Sequence, residues 1–314
     1  MLDRRLIRIK TFKVVFAAHC SEEVNLDSAQ KELLHSCSST LDLYYFMLNI
    51  CGSLSRLALE KIEAGKSKFH PTEKEANPSY KFVNNIFAEG VDNDFTIQNY
   101  CAKKGLKWGA YDGFLRKLYS SIVESDYYRD YMESGDENNL KEDCALYRHI
   151  FEEEFEDNEM LESLLEDFSA TWLDDLNYVL NFILSTIDTY SSRKSFTPQK
   201  VFLKEDGETF AKRLLSASLI DYDKYFEQIS ATVKNWESDR LSRVDVTLIV
   251  MGLAEASSFE NIPVKVTINE YVEISKYYSG EKSHIFVNGL LDKMLKDKLA
   301  SGEIRKCGAG LLTD

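Results

Sequence analysis

Residues 263–294, PVKVTINEYVEISKYYSGEKSHIFVNGLLDKM, constrain the fold more tightly than any other part of this chain. Pro263 suits the first position of a helix, where its missing N–H is no loss. Val264, Ile268, Tyr271, Val272, Ser275 and Tyr278 then recur on one helical stripe. Gly280 predicts the end of that helix and Ser283 a cap for the next, whose stripe is Val287, Leu290, Leu291 and Met294. Two such helices joined by a tight turn must bury their stripes against further helices. Within the second helix, Asn288 and Gly289 cost roughly 1 kcal/mol relative to better helix formers. Their presence calls for a use of the bare backbone, by a close-packed neighbouring helix or by a ligand.

The rest of the chain points the same way. Four prolines and 14 glycines in 314 residues leave few turns, and strictly alternating apolar runs are short and rare, so the fold class is all-α. With 44% apolar and 12% aromatic residues the chain can bury a real core. The patterns predict helices over 2–18, 27–64, 80–89, 94–104, 108–123, 125–133, 139–155, 157–190, 207–235, 240–257, 263–278 and 284–299. Residues 65–80 read as a loop, 191–200 as a hinge, and 306–314 as a frayed tail. There is no fixed-period repeat of the kind that builds a solenoid.

Six cysteines at 20, 37, 51, 101, 144 and 307 form no C-x-x-C pair, which suits reduced thiols in a cytosolic protein. Lys10 and Lys13 break the apolar run near the start, and His19 before Cys20 spoils a lipoprotein-like cleavage site, so export is not expected. No segment approaches the ~20 apolar residues of a membrane span. A cytoplasmic protein is the expectation. The net charge of −14 argues against nucleic acid until its distribution is read. Residues 124–175 hold 19 acidic and three basic side chains, so taking their −16 from the total leaves the remainder at +2. Residues 1–13 carry five bases and one acid, and 276–306 carry seven bases and four acids. For RNA the local field matters more than the sum.

The stretch PVKVTINE (263–270), the turn GEKSH (280–284) and FVNGLLDK (286–293) resemble the C-terminal signature of the NusB family of bacterial transcription antitermination factors. Weaker similarity runs through 207–236 and 240–255 and returns at 4–17. The resemblance implies helical bundles: a NusB-like core made of a basic helix (1–20) and a C-terminal bundle (201–305), with a helical insertion (21–200, acidic in 124–175) between them. It implies binding of a boxA-like single-stranded element of nascent ribosomal RNA together with the small-subunit ribosomal protein NusE, within an antitermination complex on RNA polymerase.

Arg4, Arg5 and Arg8 lie within about 100° of one another on a helix and suit phosphate oxygens; a solvated basic helix end is the alternative. The resemblance places them at RNA-binding positions. Lys282, Ser283, His284 and Phe286 form a second candidate, with Phe286 at the core margin where a ring can stack on an unpaired base, or serve as ordinary core-edge packing. In the family this turn lines the RNA. Many members have an acid where this chain has Lys282, so the departure should strengthen RNA affinity. Phe16 and Asp245 match positions that face NusE, against readings as core packing and as a plain surface acid. Many members carry Tyr in place of Phe16.

No enzyme is expected. Ser283 and His284 are adjacent and point about 100° apart, and no histidine pairing has metal-ligand spacing. The CGAG at 307–310 lacks the strand and helix of a phosphate loop. No metal or cofactor is implied. The acidic block interleaves with Tyr127, Tyr128, Tyr131, Phe151, Phe155, Met160, Leu164, Phe168 and Trp172, which reads as amphipathic helices with a solvated face or as a docking surface for a basic partner. The second reading opens an alternative function, a helical scaffold that binds protein and no RNA.

Overall fold

The computed structural model describes residues 1–21, 25–135, 139–233 and 242–311. Apart from one isolated bridge between Leu2 and Phe202, the described residues hold helices and no strands. In chain order the first are α1 (Arg4–Cys20), α2 (Leu26–Leu48), α3 (Ile50–Lys66), the short α4 (Glu73–Ala76), α5 (Ile86–Asn93) and α6 (Phe95–Lys104). A 3-10 turn, Trp108–Tyr111, leads into α7 (Asp112–Glu124) and α8 (Asp126–Glu133). Then come α9 (Leu140–Glu153), α10 (Glu159–Phe168) and α11 (Ala170–Arg193). The last are α12 (Gly207–Ile220), α13 (Tyr222–Val233), α14 (Arg243–Ser258), α15 (Val264–Tyr278) and α16 (Ser283–Ala300). Among the described residues no helix is long and apolar enough to cross a membrane.

The chain divides into two compact units, Met1–Cys37 with Val201–Asp314, and Ser38–Lys200. The division thus falls inside α2 rather than after residue 20. Residues 25–37 belong with the first unit because Leu33 and Cys37 are fully buried there, Lys10 Nζ donates to Ser36 Oγ (3.2 Å) and Gln30 donates to Ser216 Oγ (3.1 Å). The two distant pieces of this unit are joined by backbone: Leu2 N donates to Val201 O (2.8 Å) and Leu203 N to Leu2 O (3.0 Å). Its centre is α14, buried continuously over 245–256, with α1, α12, α13, α15 and α16 packed around it. Gly252 permits one close approach, since a Cβ there would come within 2.7 Å of Leu291 on α16.

The second unit is organised around aromatic rings. Trp108 stacks on Phe46 (4.2 Å between centroids) and Phe114 (5.5 Å), and its indole N–H donates to Phe46 O (2.7 Å). Trp172 donates to Ser39 O (3.0 Å) and stacks with Phe168. A polar knot ties α5, α8 and α9 together: the Asp143 carboxylate accepts from Ile86 N (2.8 Å) and Tyr131 OH (2.7 Å).

Three predicted long helices are each broken in two. The 27–64 pattern divides at Asn49, a buried amide that receives Gln98 (3.1 Å). The 157–190 pattern divides at Ser169, whose extended backbone lets it cap α11. The 207–235 pattern divides at Asp221; residues 234–241, into which that prediction and the next one run, lie outside the described residues. The tail is also different from the expected frayed end. Lys306 Nζ donates to Ala256 O and Phe259 O, Cys307 N donates to Glu260 O, and Gly310 packs so close to the Glu260 carbonyl that no Cβ would fit. Residues 306–311 are therefore docked at the C-terminal end of α14, where a cation meets the carbonyls of the helix end. Residues 312–314 lie outside the described residues.

Candidate nucleic-acid interface

Asp3 caps α1 by accepting from Leu6 N (2.8 Å), so the arginines fall in its first two turns. They do not form one free basic face. Arg8 points inward and is 3% exposed, which corrects its reading as a phosphate ligand. Its Nε and Nη2 donate to the two Glu255 oxygens at 2.6 and 3.0 Å. The same carboxylate, fully buried on α14, accepts from Thr267 Oγ1 (2.9 Å) and Tyr271 OH (3.2 Å). Burial opposes the charge on Arg8, yet the Glu255 carboxylate outweighs it and holds the guanidinium above its ordinary pKa. The residue locks α1, α14 and α15 in register.

Arg4 and Arg5 remain at the surface with acidic partners. Arg4 donates to Asp206 (2.6 Å) and lies over the Phe210 ring (4.0 Å). Arg5, half-exposed, makes a two-point contact with Glu270 at 3.0 and 2.8 Å. Burial alone would raise the Glu270 carboxyl; the Arg5 hydrogen bonds and the charges of Arg8 and Arg5 outweigh it and hold it below its ordinary value. Beside these side chains opens a cavity of about 560 Å³, bordered by Lys204 and the Asn261–Pro263 approach to α15.

The second candidate lies at the far end of the same helix pair. Arg5 meets Glu270, while further along Phe12 meets Tyr278 (5.5 Å) and Lys13 lies over the Tyr278 ring (5.4 Å), so α1 and α15 run side by side in one direction. At 1.5 Å per residue, the Glu270 contact and the 279–283 turn are separated by about 14 Å. The turn is held by Asp245. That carboxylate, 3% exposed, accepts from Ser279 Oγ (2.6 Å) and Ser283 Oγ (3.1 Å), while its backbone N–H donates to the Ser242 cap (3.0 Å). This corrects two expectations. Asp245 is neither a surface acid nor exposed to a protein partner, and the Ser283 hydroxyl is drawn to Asp245 instead of capping α16.

Lys282 is exposed, and His284 and Phe286 are half-buried beside it. Phe16 is half-buried against Phe12 (6.0 Å). Two exposed side chains that sequence reasoning passed over flank the turn in the chain: Tyr277, 82% exposed, and Ile285, 63% exposed. Glu255 was also passed over, though a lone acid inside the apolar run VTLIVMGLAEA signals a buried partner. Gly289 faces open space, with nothing within 4 Å of a Cβ built on it. No helix of the described residues uses that bare backbone; the close approach is made at Gly252 instead.

The family model described as NusB family matches residues 186–296, from the end of α11 through α15 and most of α16 with the 279–286 turn, and leaves α1 outside. A Transcription antitermination protein NusB from Salinibacter ruber is 37% identical over 115 residues, 36% of this chain and 72% of that protein. One from Clostridium botulinum is 38% identical over 97 residues, covering 31% of this chain and 68% of the relative. One from Methylacidiphilum infernorum reaches 51% over 71 residues, 23% and 50% of the two chains. No solved structure matches. The similarity covers more than two thirds of two of these relatives and contains the helical hairpin whose turn Asp245 positions, so this chain belongs to the NusB family.

Proposed function

We propose that this chain is a transcription antitermination factor that binds a boxA-like single-stranded element of nascent ribosomal RNA together with NusE. The observation that carries this reading is the strip along α1 and α15: exposed Arg5 with Arg4 at one end, Lys13 between, and exposed Lys282 with Tyr277 and the edge of Phe286 at the other. The cationic side chains hold phosphates, and the rings at the Lys282 end accept unstacked bases. Arg4 and Arg5 must exchange Asp206 and Glu270 for phosphate, so RNA competes with a carboxylate already in place. That exchange tempers affinity, while the phosphates neutralised still make binding fall with salt. Arg8, Asp245 and Ser283 shape the surface without touching RNA. Phe16 is the residue of this strip that offers NusE a ring.

The test is fluorescence anisotropy of a labelled boxA-like RNA with purified protein, with and without NusE, at two salt concentrations. Affinity should rise with NusE and fall with salt. Phe286→Ala should weaken binding about 5- to 100-fold, the worth of one stacked base. Arg5→Ala should reduce the salt slope by about one. RNA binding that is absent with and without NusE would leave the protein-only scaffold, which the acidic second unit favours.

A further inference from the structure

In the second unit, α7 and α10 stand apart and leave between them a groove of about 450 Å³. Its floor is Tyr111, Phe114 and Leu164, with Gly113 and Lys117 on the α7 side and Met160 and Asp167 on the other. The floor is rigid, because Phe114 stacks on Trp108 and Tyr111 lies 5.4 Å from Phe168. On α10, Leu161 and Leu165 are buried, while Met160 is 39% exposed at the groove edge. A thioether there can adapt to whatever apolar group enters.

The α10 side of the rim carries one sign of charge, and among the lining residues a single lysine, Lys117 on α7, opposes it. Residues 151–168 contain nine acids and no Lys or Arg. Among the described residues none of Glu156, Asp157, Glu159, Glu162, Glu166 and Asp167 is paired with a cation. Glu159 and Glu162 sit favourably in the first turn of α10, but Glu166 and Asp167 sit in its last turn, against the negative end of the helix dipole. A cation placed there would relieve that repulsion. The acids do not converge on a point: no group of three or more among the described residues could hold a metal ion. Phosphates would be repelled.

We propose that the α7/α10 groove docks a basic amphipathic helix of a protein partner. Two helices separated by an apolar trough accept the ridge of a third at i, i+3, i+4 and i+7, and lysines or arginines flanking that ridge meet Glu162, Glu166 and Asp167. The site belongs to the acidic unit and does not depend on RNA binding by the first.

The test uses the whole protein and a fluorescein-labelled synthetic helix of about 18 residues, Leu at ridge positions and Lys elsewhere. Two controls are a scrambled peptide of the same composition and one with Glu for Lys. The ridge peptide should bind at least tenfold more tightly than either control. Gly113→Leu fills the groove from a position where added atoms meet open space, so the fold is kept, as circular dichroism will check. It should weaken the ridge peptide tenfold or more, as should Ser163→Arg, whereas Glu152→Gln with Glu153→Gln, on α9, should change it less than twofold. Equal binding of scrambled and ridge peptides, or unchanged binding by both groove variants, would reduce the surface to a diffuse acidic field and overturn the proposal. So would displacement of the peptide by single-stranded RNA, or self-association in sedimentation that Gly113→Leu abolishes, which would make a second copy the occupant.

Discussion

The two units solve the same problem, fixing the register of several helices, with opposite chemistry. At the centre of the first, a fully buried carboxylate takes four hydrogen bonds from α1 and α15, two of them from a buried guanidinium. At the centre of the second, Trp108, Phe46, Phe114, Phe168 and Trp172 lie ring against ring. Directional bonds to one acid admit few alternative residues. Stacked rings bury area without direction and tolerate exchange of shape for similar shape. A surface that must present particular side chains to a ligand gains from the first kind of centre, and it is the first unit that holds the strip along α1 and α15.

Removing one partner of the buried pair should give the largest effect. Glu255→Ala strands the Arg8 charge and the hydroxyls of Thr267 and Tyr271, and should cost about 3–5 kcal/mol in denaturant unfolding. Arg8→Met with Glu255→Leu should recover most of that loss, because a well-packed apolar pair often replaces a buried ion pair at no net cost. Its RNA affinity would then separate register from charge. A single-variant loss below ~1 kcal/mol would mean the pair does not organise the unit.

The counterpart in the second unit is Trp108→Phe. A ring is kept against Phe46 and Phe114, but Phe46 O loses its indole donor, so the cost should be about 1–3 kcal/mol. Were this loss to exceed that of Glu255→Ala, the contrast between a directional and a tolerant centre would fail.

Next comes Asp245→Asn, which keeps the shape of the acid and removes its charge at the start of α14. One amide oxygen must replace two carboxylate oxygens for Ser279 and Ser283, at about 1–2 kcal/mol of stability. Its sharper readout is RNA affinity, which should fall although Asp245 is buried; unchanged affinity would show that the 279–283 turn need not be held to serve.

What was legible beforehand follows the same division. The all-α class came from scarce Gly and Pro and from helical stripes, and the hairpin of α15 and α16 was readable residue by residue. The inward turn of Arg8 was not, because helical spacing places Arg4, Arg5 and Arg8 on nearby angles without saying which neighbour lies at each. That required knowing that Glu255, on a helix 247 residues away, ends up beside Arg8. Asp245 misled for the same reason: an acid at the start of a helix is ordinarily solvated, and only the folded chain brings Ser279 and Ser283 to it. The breaks at Asn49, Ser169 and Asp221 were hidden because apolar periodicity continues through each.

The smallest effect separates the units by the sign of a pH dependence. Glu270 in the first unit and Asp143 in the second are each partly buried acids with hydrogen bonds. At Glu270 burial is outweighed by Arg5 and Arg8, so its folded pKa lies below 4.5. Its stabilising contribution is complete above that value and is lost as the pH falls through the folded pKa. At Asp143 burial outweighs the bonds from Ile86 and Tyr131, so its folded pKa lies above 3.8. Its contribution is complete below 3.8 and is lost as the pH rises through the folded value. Carboxyl-carbon NMR titration should therefore find Glu270 titrating below its ordinary value and Asp143 above its own. Arg5→Ala should move Glu270 upward and leave Asp143 in place. Because Arg5 is half-exposed, the accompanying stability loss should be only about 0.2–1 kcal/mol. If Glu270 held its position without Arg5, Arg8 alone would account for its low value, and Arg5 would be free to leave for a phosphate at almost no cost to the fold.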